Sequence, residues 1–221
     1  MKIGLISDIH ANHPALAAVL ADMPPVDEVV CAGDIVGYNP IPSTCVERVQ
    51  EVASVTVQGN HDRTVENPDK YRANQMAYAG LEYAQSVLTD SQRQWLQDLP
   101  PTETFGGGDY LLVHSHPENR GEYVYPRNFP DLRPQLDDYQ GIVLGHTHIQ
   151  HKATVDDRLI VNPGSVGQPR DGNPHAAYAV LDTETNDVEL HRTHYNIDRV
   201  HHEIVVEGLP SKTGERLFEG E

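Results

Sequence analysis

Seven side chains of metal-binding type stand just after five hydrophobic runs in this sequence. They are two aspartates, one asparagine and four histidines, namely Asp8, His10, Asp34, Asn60, His114, His146 and His148. Polar residues often end strands as turn formers, so turn chemistry alone can explain any one of these positions. It does not explain five successive runs that each end in potential metal ligands, and the pattern therefore indicates a shared site.

The opening 62 residues indicate how these side chains are brought together. Apolar runs at residues 2–8, 26–34 and 53–62 alternate with two segments of helical spacing, which predicts strand–helix–strand–helix–strand. This order is typical of parallel strands joined by helical crossovers. Ligands of open α/β sheets bind at the carboxyl ends of the strands, so the polar groups that follow each strand are expected to converge.

The residue types indicate which ions such a site would take. Imidazole and carboxylate ligands together favour Mn, Fe, Zn, Co or Ni over Ca or Mg. Seven ligands are too many for one tetrahedral ion, but they suit two ions about 3.5–4 Å apart that share a carboxylate. Two divalent ions bring four positive charges, and Asp8, Asp34 and a bridging hydroxide remove three. The predicted centre therefore stays positive, attracts an anionic phosphate and activates a water molecule.

The helical segments carry recognisable start signals. The second crossover helix is expected to be capped by Ser43 or Thr44. Residues 72–99 have the spacing of two helices, and Thr89 or Asp90 is the expected cap of the second. The first half of the chain therefore combines strands and helices in alternation.

Antiparallel strands are predicted in the second half. Two hairpins are expected, with turns at residues 156–157 and near residues 185–187. No linker or internal repeat divides the chain, so residues 1–221 are predicted to form one domain. The acidic segment after Gly208 is expected to be a loose tail.

Composition excludes several classes of protein. The formal net charge is −17, and only four of the sixteen basic residues are lysines. This balance argues against a large nucleic-acid partner, and it suggests a salt-adapted organism, although an ordinary acidic protein remains the alternative. No apolar run is long enough to span a membrane, the first residues do not resemble a signal peptide, and two cysteines do not form a disulfide framework. A cytoplasmic location is therefore expected.

Five short motifs resemble those of the calcineurin-like metallophosphoesterase superfamily. They are SDIH (7–10), GDIVGY (33–38), GNHD (59–62), VHSHP (113–117) and GHTH (145–148). The segment NPGSVGQPRDG at residues 162–172 resembles the small prokaryotic phosphodiesterase branch of that superfamily. The resemblance implies an α/β fold of four layers, an αββα sandwich in which two mixed β-sheets pack face to face between helices.

The same resemblance implies a role for each of the seven residues. The first ion is expected to be held by Asp8, His10 and His148. The second ion is expected to be held by Asn60, His114 and His146. Asp34 would bridge the two ions.

Neighbouring residues receive catalytic roles by the same resemblance. His61 is similar in position to the general acid of the family, and Asp62 would orient it. The motif at residues 113–117 departs from many relatives, which have glycine directly after the ligand histidine, where this chain has Ser115. His116 is an extra imidazole near the expected ligands, and it is either an additional substrate contact or a turn residue.

Two further residues are candidates for substrate binding. Arg170 has the geometry to bind a substrate phosphate with two hydrogen bonds, although a surface ion pair is the alternative. Tyr38 follows the Asp34 motif and either lines the pocket or packs in the core. The turn at residues 162–167 is expected to direct backbone amides towards the cavity.

These observations predict an enzyme that hydrolyses phosphate esters, above all phosphodiesters of small molecules or nucleotides. Two divalent transition-metal ions are the expected cofactors, with Mn²⁺ first and Ni²⁺, Co²⁺, Fe or Zn²⁺ next. A bridging hydroxide would attack phosphorus while His61 protonates the leaving oxygen. The alternatives are a phosphomonoesterase, a dinucleoside polyphosphate hydrolase and a non-catalytic binding scaffold on the same fold. The sequence leaves a homo-oligomer open.

Overall fold

A computed structural model describes residues 1–221 of the chain. Ten strands are numbered in chain order: β1 (Lys2–Ile6), β2 (Glu28–Cys31), β3 (Ala53–Thr56), β4 (Thr102–Phe105), β5 (Tyr110–Val113), β6 (Gly141–Val143), β7 (His151–Val155), β8 (Arg158–Asn162), β9 (Ala176–Asp182) and β10 (Asp187–Thr193). They form two mixed five-stranded sheets, in the orders β10-β9-β1-β2-β3 and β4-β5-β6-β8-β7. Strands β1, β2 and β3 are parallel in the first sheet, as are β5, β6 and β8 in the second.

Seven α-helices accompany the sheets: α1 (His13–Asp22), α2 (Pro42–Val52), α3 (Asn60–Thr64), α4 (Gln75–Val87), α5 (Asp90–Asp98), α6 (Ile197–Val206) and α7 (Ser211–Glu219). Three 3₁₀ helices span Pro68–Tyr71, Gly106–Gly108 and Pro126–Leu136. No helix has both the length and the apolar character required to cross a bilayer.

Side chains that alternate between the two faces of each strand build the layers of the sandwich. In β1, Leu5 joins the buried cluster between the sheets, whereas Ile6 joins the cluster under the helices of the first sheet. Successive strand residues point to opposite faces, so a strand that is apolar on both faces must be covered twice. The outer face of the second sheet packs on Phe129 and Leu132 of the long 3₁₀ helix. The predicted four-layer αββα sandwich is therefore confirmed.

Local signals placed most elements correctly, including both hairpins and the cap of α5. The Thr89 hydroxyl accepts a hydrogen bond from the Gln92 amide at 3.2 Å. The predicted cap of α2 is wrong, because this helix begins at Pro42, and Ile41 precedes it without a side-chain hydrogen bond. Proline is favoured at the first helical position because its fixed φ suits a helix and its missing N–H would have no partner there.

The prediction of a loose acidic tail after Gly208 is also wrong. Helix α7 follows this glycine and packs against α6. Within the helix, Thr213, Gly214 and Leu217 are buried, and Leu209 just before the helix is buried as well. The spacing of Thr213, Gly214 and Leu217 places them on one face of α7, which explains why an acidic segment docks instead of remaining free.

Candidate metal centre and its pocket

The candidate ligands lie just after the ends of five parallel strands, β1, β2 and β3 of one sheet and β5 and β6 of the other, and Asn60 is the first residue of α3. These ends meet at the same edge of the sandwich. The histidine nitrogens and carboxylate oxygens form two compact groups, within each of which all ligand atoms lie within 4.8 Å of one another. The two groups are Asp8, His10 and His148, and Asp34, His114 and His146. The predicted convergence of these side chains is therefore present in the fold.

Asp34 stands between the two groups. Its Oδ2 lies 3.7 Å from Nε2 of His10 in the first group and 3.4 Å from Nε2 of His114 in the second. Within the first group, Nε2 of His148 lies 3.2 Å from Oδ1 of Asp8. Asn60 joins the second group through its Oδ1, which is 3.0 Å from Nε2 of His114. Asp34 Oδ2 therefore lies near histidine nitrogens of both groups.

Backbone carbonyls fix the orientation of the imidazole rings. Nδ1 of His10 lies 3.1 Å from the Val36 carbonyl, Nδ1 of His114 lies 2.8 Å from that of Ala32, and Nδ1 of His148 lies 2.6 Å from that of Gln168. A carbonyl only accepts, so Nδ1 carries a proton in each of these rings, and Nε2 is the nitrogen that faces the cluster. His146 is reversed, because its Nε2 donates to the Gly121 carbonyl at 3.2 Å and leaves Nδ1 free.

The backbone of the candidate ligands is strained. Five of the seven have left-handed φ values, which are 52° at Asp8, 47° at His10, 54° at Asp34, 68° at His146 and 59° at His148. Each such conformation costs a non-glycine residue on the order of 1 kcal/mol. Conformations of this kind persist where the surrounding structure imposes them, and they cluster at functional sites.

Electrostatics of the cluster favour cations. Burial lowers the pKa of His146 to about 4, and burial with the charges of neighbouring groups also lowers the pKa values of His10 and His148. Burial opposes charge on His114 as well, but the Asp34 carboxylate outweighs it and raises the pKa of that ring to about 9. Three rings are therefore neutral donors of lone pairs at pH 7. Neutral imidazoles beside buried carboxylates are a set of donors that fits divalent transition metals.

Asp62 does not orient His61, in contrast to the prediction from the family resemblance. Its Oδ2 accepts hydrogen bonds from the backbone amides of Asp34 and Gly59, and its Oδ1 accepts from those of Ile35 and Val36. Burial and the nearby Asp34 carboxylate raise the pKa of Asp62 to about 7, against the effect of these amides. Asp62 therefore fixes the loop that carries Asp34.

Replacing Asp62 by Asn is expected to lower the free energy of unfolding by about 2 kcal/mol, because the new amide group would face backbone N–H donors that then lack an acceptor. Denaturant unfolding followed by circular dichroism measures this loss. The matched control is Asp157→Asn in the exposed β7–β8 turn, where asparagine is tolerated and the change should stay below about 0.5 kcal/mol. Equal effects of the two substitutions would contradict this role of Asp62.

His61 is held by aromatic neighbours instead. Its ring centroid lies 4.8 Å from that of Tyr38 and 4.9 Å from that of Tyr71. Its Nδ1 is buried without a hydrogen-bond partner, beside Gly37, where any side chain would overlap this nitrogen. Only Nε2 of His61 can therefore reach a ligand in the pocket. The ring also forms a third group of potential ligand atoms with His10 and Asp34.

The pocket beside the cluster has a volume of about 380 Å³ and is lined mainly by polar residues. Both sequence candidates line it, and they contact each other, since Nη2 of Arg170 donates to the Tyr38 hydroxyl at 3.2 Å. Arg170 also donates to Oε1 of Gln168 at 2.7 Å, and it forms no surface ion pair.

The sequence analysis missed six other residues of the pocket wall, which are Arg63, Tyr71, Asn74, Gly121, Tyr123 and Arg216. Arg63 stands two residues after His61, and this spacing was a usable signal. Tyr123 stacks on the His146 ring with centroids 4.0 Å apart, but no local pattern marks its position.

Two other predictions have clear outcomes. His116 is a turn residue, since its Nδ1 accepts hydrogen bonds from the amides of Glu118 and Asn119. Within residues 162–167, the amides of Gly164, Val166 and Gly167 have protein acceptors and do not face the cavity. Val166 and Gly167 donate instead to the carbonyls of Ser7 and Asp8, which fixes the loop after β1.

The chain belongs to the calcineurin-like phosphoesterase superfamily, whose domain model matches residues 1–186. Members of this family are metal-dependent phosphoesterases, and the buried Asp–His cluster at the shared edge of the two sheets agrees with that class.

Particular relatives are similar over nearly the whole chain. The uncharacterized protein MJ0912 of Methanocaldococcus jannaschii is 33% identical, with 99% of this chain and 98% of that protein covered. Phosphodiesterase YfcE of Escherichia coli is 28% identical, with 83% and 89% covered. The crystal structure of a metallophosphoesterase from Sphaerobacter thermophilus superposes with a TM-score of 0.89 at 34% identity and covers both chains completely. This chain is accordingly a metal-dependent phosphoesterase.

Proposed function

We propose that the protein hydrolyses phosphodiesters of small molecules or nucleotides with two divalent transition-metal ions. The observation that carries the proposal is the position of Asp34, whose Oδ2 lies within 3.7 Å of one group of candidate ligands and 3.4 Å of the other. Two bound ions would lower the pKa of a water molecule and neutralise charge on the phosphoryl oxygens.

The residues divide between the two proposed ions. The first ion is assigned to Asp8, His10 and His148. The second is assigned to Asn60, His114 and His146. Asp34 is shared between them. Mn²⁺ is the proposed native metal, and Ni²⁺, Co²⁺, Fe and Zn²⁺ suit the same mixture of imidazole and carboxylate.

Residues of the pocket supply the remaining chemistry. Arg170 binds the phosphoryl oxygens of the substrate with its guanidinium, which has no carboxylate partner of its own. Nε2 of His61 donates a proton to the departing oxygen. Burial lowers the pKa of His61 to about 4, so this role requires that the negative charge of a bound substrate raise that pKa again.

Metal loading tests this proposal directly. Chelated protein is reconstituted separately with Mn²⁺, Ni²⁺, Co²⁺, Zn²⁺ and Mg²⁺ and assayed with bis(p-nitrophenyl) phosphate and p-nitrophenyl phosphate. We expect the diester to be the better substrate, and elemental analysis should give about two ions per chain. The matched pair His114→Asn and His116→Asn should differ, since only the first should lose an ion. One ion in a fully active wild-type protein would refute the dinuclear site.

We also propose that the protein is adapted to high salt. The chain has 33 acidic and 16 basic residues, so most exposed carboxylates have no partner and repel one another. The melting temperature should therefore rise by at least about 3 °C between low salt and molar KCl, which corresponds to roughly 1 kcal/mol for a chain of this size. Differential scanning fluorimetry in a KCl series measures the rise. A flat or falling series would remove this inference.

A further inference from the structure

Three arginines line the pocket, although the chain as a whole is strongly acidic. Arg63, Arg170 and Arg216 all contribute to its wall, and none of them has a carboxylate within 4.0 Å. Six of the other nine arginines do form ion pairs, for example Arg48 with Glu51 and Arg199 with Glu203. The three guanidiniums of the pocket wall therefore have no ion-pair partner that a bound anion would have to displace.

Arg216 lies on helix α7, beyond the residues that match the family domain. The helix is fixed at both ends. Gly214 packs closely on His201 of α6, and the carbonyl of Gly220 accepts a hydrogen bond from the Gly172 amide at 3.0 Å. Gly172 belongs to the loop that follows Arg170. The C-terminal helix and the Arg170 loop are therefore held together, and this contact places Arg216 in the pocket wall.

Arg170 stands beside the candidate metal centre, because its backbone amide donates to the carbonyl of His148 at 3.2 Å. Arg216 lines the same pocket from helix α7, and both arginines are partly buried. Two partly desolvated guanidiniums in one pocket repel each other, and an anion bound between them removes that repulsion.

We propose that Arg216 and Arg170 form a second anion-binding subsite, so that the preferred substrate is a phosphate ester with a second phosphate or carboxylate beyond the scissile group. This inference rests on the proposed phosphodiesterase function. The reacting phosphate occupies the inner end of the pocket beside His61, His148 and one edge of the Arg170 guanidinium, and the second oxyanion of the same molecule is bound between Arg170 and Arg216. Planar guanidinium groups suit this task because they bind oxyanions with paired hydrogen bonds.

Two substrates that differ only in the second anion test the subsite. Thymidine 5′-(p-nitrophenyl phosphate) and its 3′-phosphorylated analogue have the same reacting group and the same leaving group. We expect wild-type protein to favour the 3′-phosphorylated ester by about 10- to 100-fold in kcat/KM, the range for one charge-assisted contact. Arg216→Ala should reduce this ratio to near one and change kcat/KM for the simpler ester less than about threefold.

Lys212→Ala is the matched control, since it removes one positive charge from an exposed position of the same helix. It should retain the wild-type ratio, and Arg216→Lys should give an intermediate value because a single ammonium replaces the planar fork. An equal loss on both esters in Arg216→Ala, or no preference in the wild-type protein, would refute the subsite.

Binding measurements test the second anion-binding subsite independently of phosphodiesterase activity. Calorimetry on Mn²⁺-loaded protein compares thymidine 3′,5′-bisphosphate with thymidine 5′-monophosphate. The bisphosphate should bind about 10- to 100-fold more tightly to wild-type and Lys212→Ala protein, but not to Arg216→Ala. If binding shows this pattern and neither ester is hydrolysed with any metal, the phosphodiesterase proposal fails and the subsite stands. Equal affinity for the two nucleotides in the wild-type protein would overturn the subsite.

Discussion

Asp34→Asn protein should hydrolyse bis(p-nitrophenyl) phosphate on the order of 10³-fold more slowly than the wild type at a Mn²⁺ concentration that saturates the wild type. Asp34 Oδ2 lies near both groups of candidate ligands, whereas His10 belongs to the first group. A neutral amide removes the charge that both proposed sites share. His10→Asn should therefore cost less activity than Asp34→Asn under the same conditions.

Metal content and kinetics measured on the same samples decide this prediction. Asp34 Oδ1 also accepts a hydrogen bond from the His61 amide at 2.8 Å, and the asparagine oxygen can retain that bond. The fold should therefore survive the substitution, and circular dichroism checks it. Asp157→Asn controls for the loss of one negative charge. If excess Mn²⁺ restored full activity to Asp34→Asn, the shared role of Asp34 would be wrong.

Loss of His61 should affect substrates with poor leaving groups most. If Nε2 protonates the departing oxygen, His61→Ala should slow cleavage of thymidylyl-(3′→5′)-thymidine by about 10²–10⁴-fold. The same substitution should slow cleavage of thymidine 5′-(p-nitrophenyl phosphate) by about tenfold or less, since nitrophenolate departs without a proton. The two diesters share the nucleoside and differ in the leaving group, so the ratio of their kcat/KM values isolates this effect.

His61→Asn is the second variant, because it preserves more of the contact with Tyr38 and Tyr71 than alanine does and still lacks an acidic proton. Both variants should retain about two ions per chain. Loss of an ion would place His61 in the coordination shell, which the proximity of its ring to His10 and Asp34 allows geometrically. Equal losses on both substrates would show that His61 positions the phosphate without donating a proton.

Local sequence patterns were sufficient to predict the helices and strands and the types of residue that form the site. Strand–helix alternation, both hairpins and the Thr89 cap depend on contacts within a few residues, and the structure contains all of them. The seven candidate ligands were recognisable because strand ends are local features and because five successive strand ends all carry residues of metal-binding type. The predicted helix cap was wrong only for α2, where Pro42 occupies the first helical position.

Tertiary packing decided which of these residues meet. His10 and His148 are 138 residues apart, yet their Nε2 atoms lie 3.1 Å from each other. The strands that precede them belong to different sheets, and no periodicity within one strand specifies how two sheets align. The family resemblance supplied that arrangement, whereas composition and spacing alone did not.

The same reason explains the residues that the sequence misassigned. Asp62 follows His61 directly, but its four hydrogen bonds reach backward along the chain to Gly59 and the loop after β2. Arg216 reached the pocket only because α7 docks on α6 and on the loop after Arg170. The sequence by itself determined the elements and the chemistry of their ends, because these depend on near neighbours. Only the tertiary structure decided which atoms each side chain contacts, because those contacts depend on packing between segments that are distant in the chain.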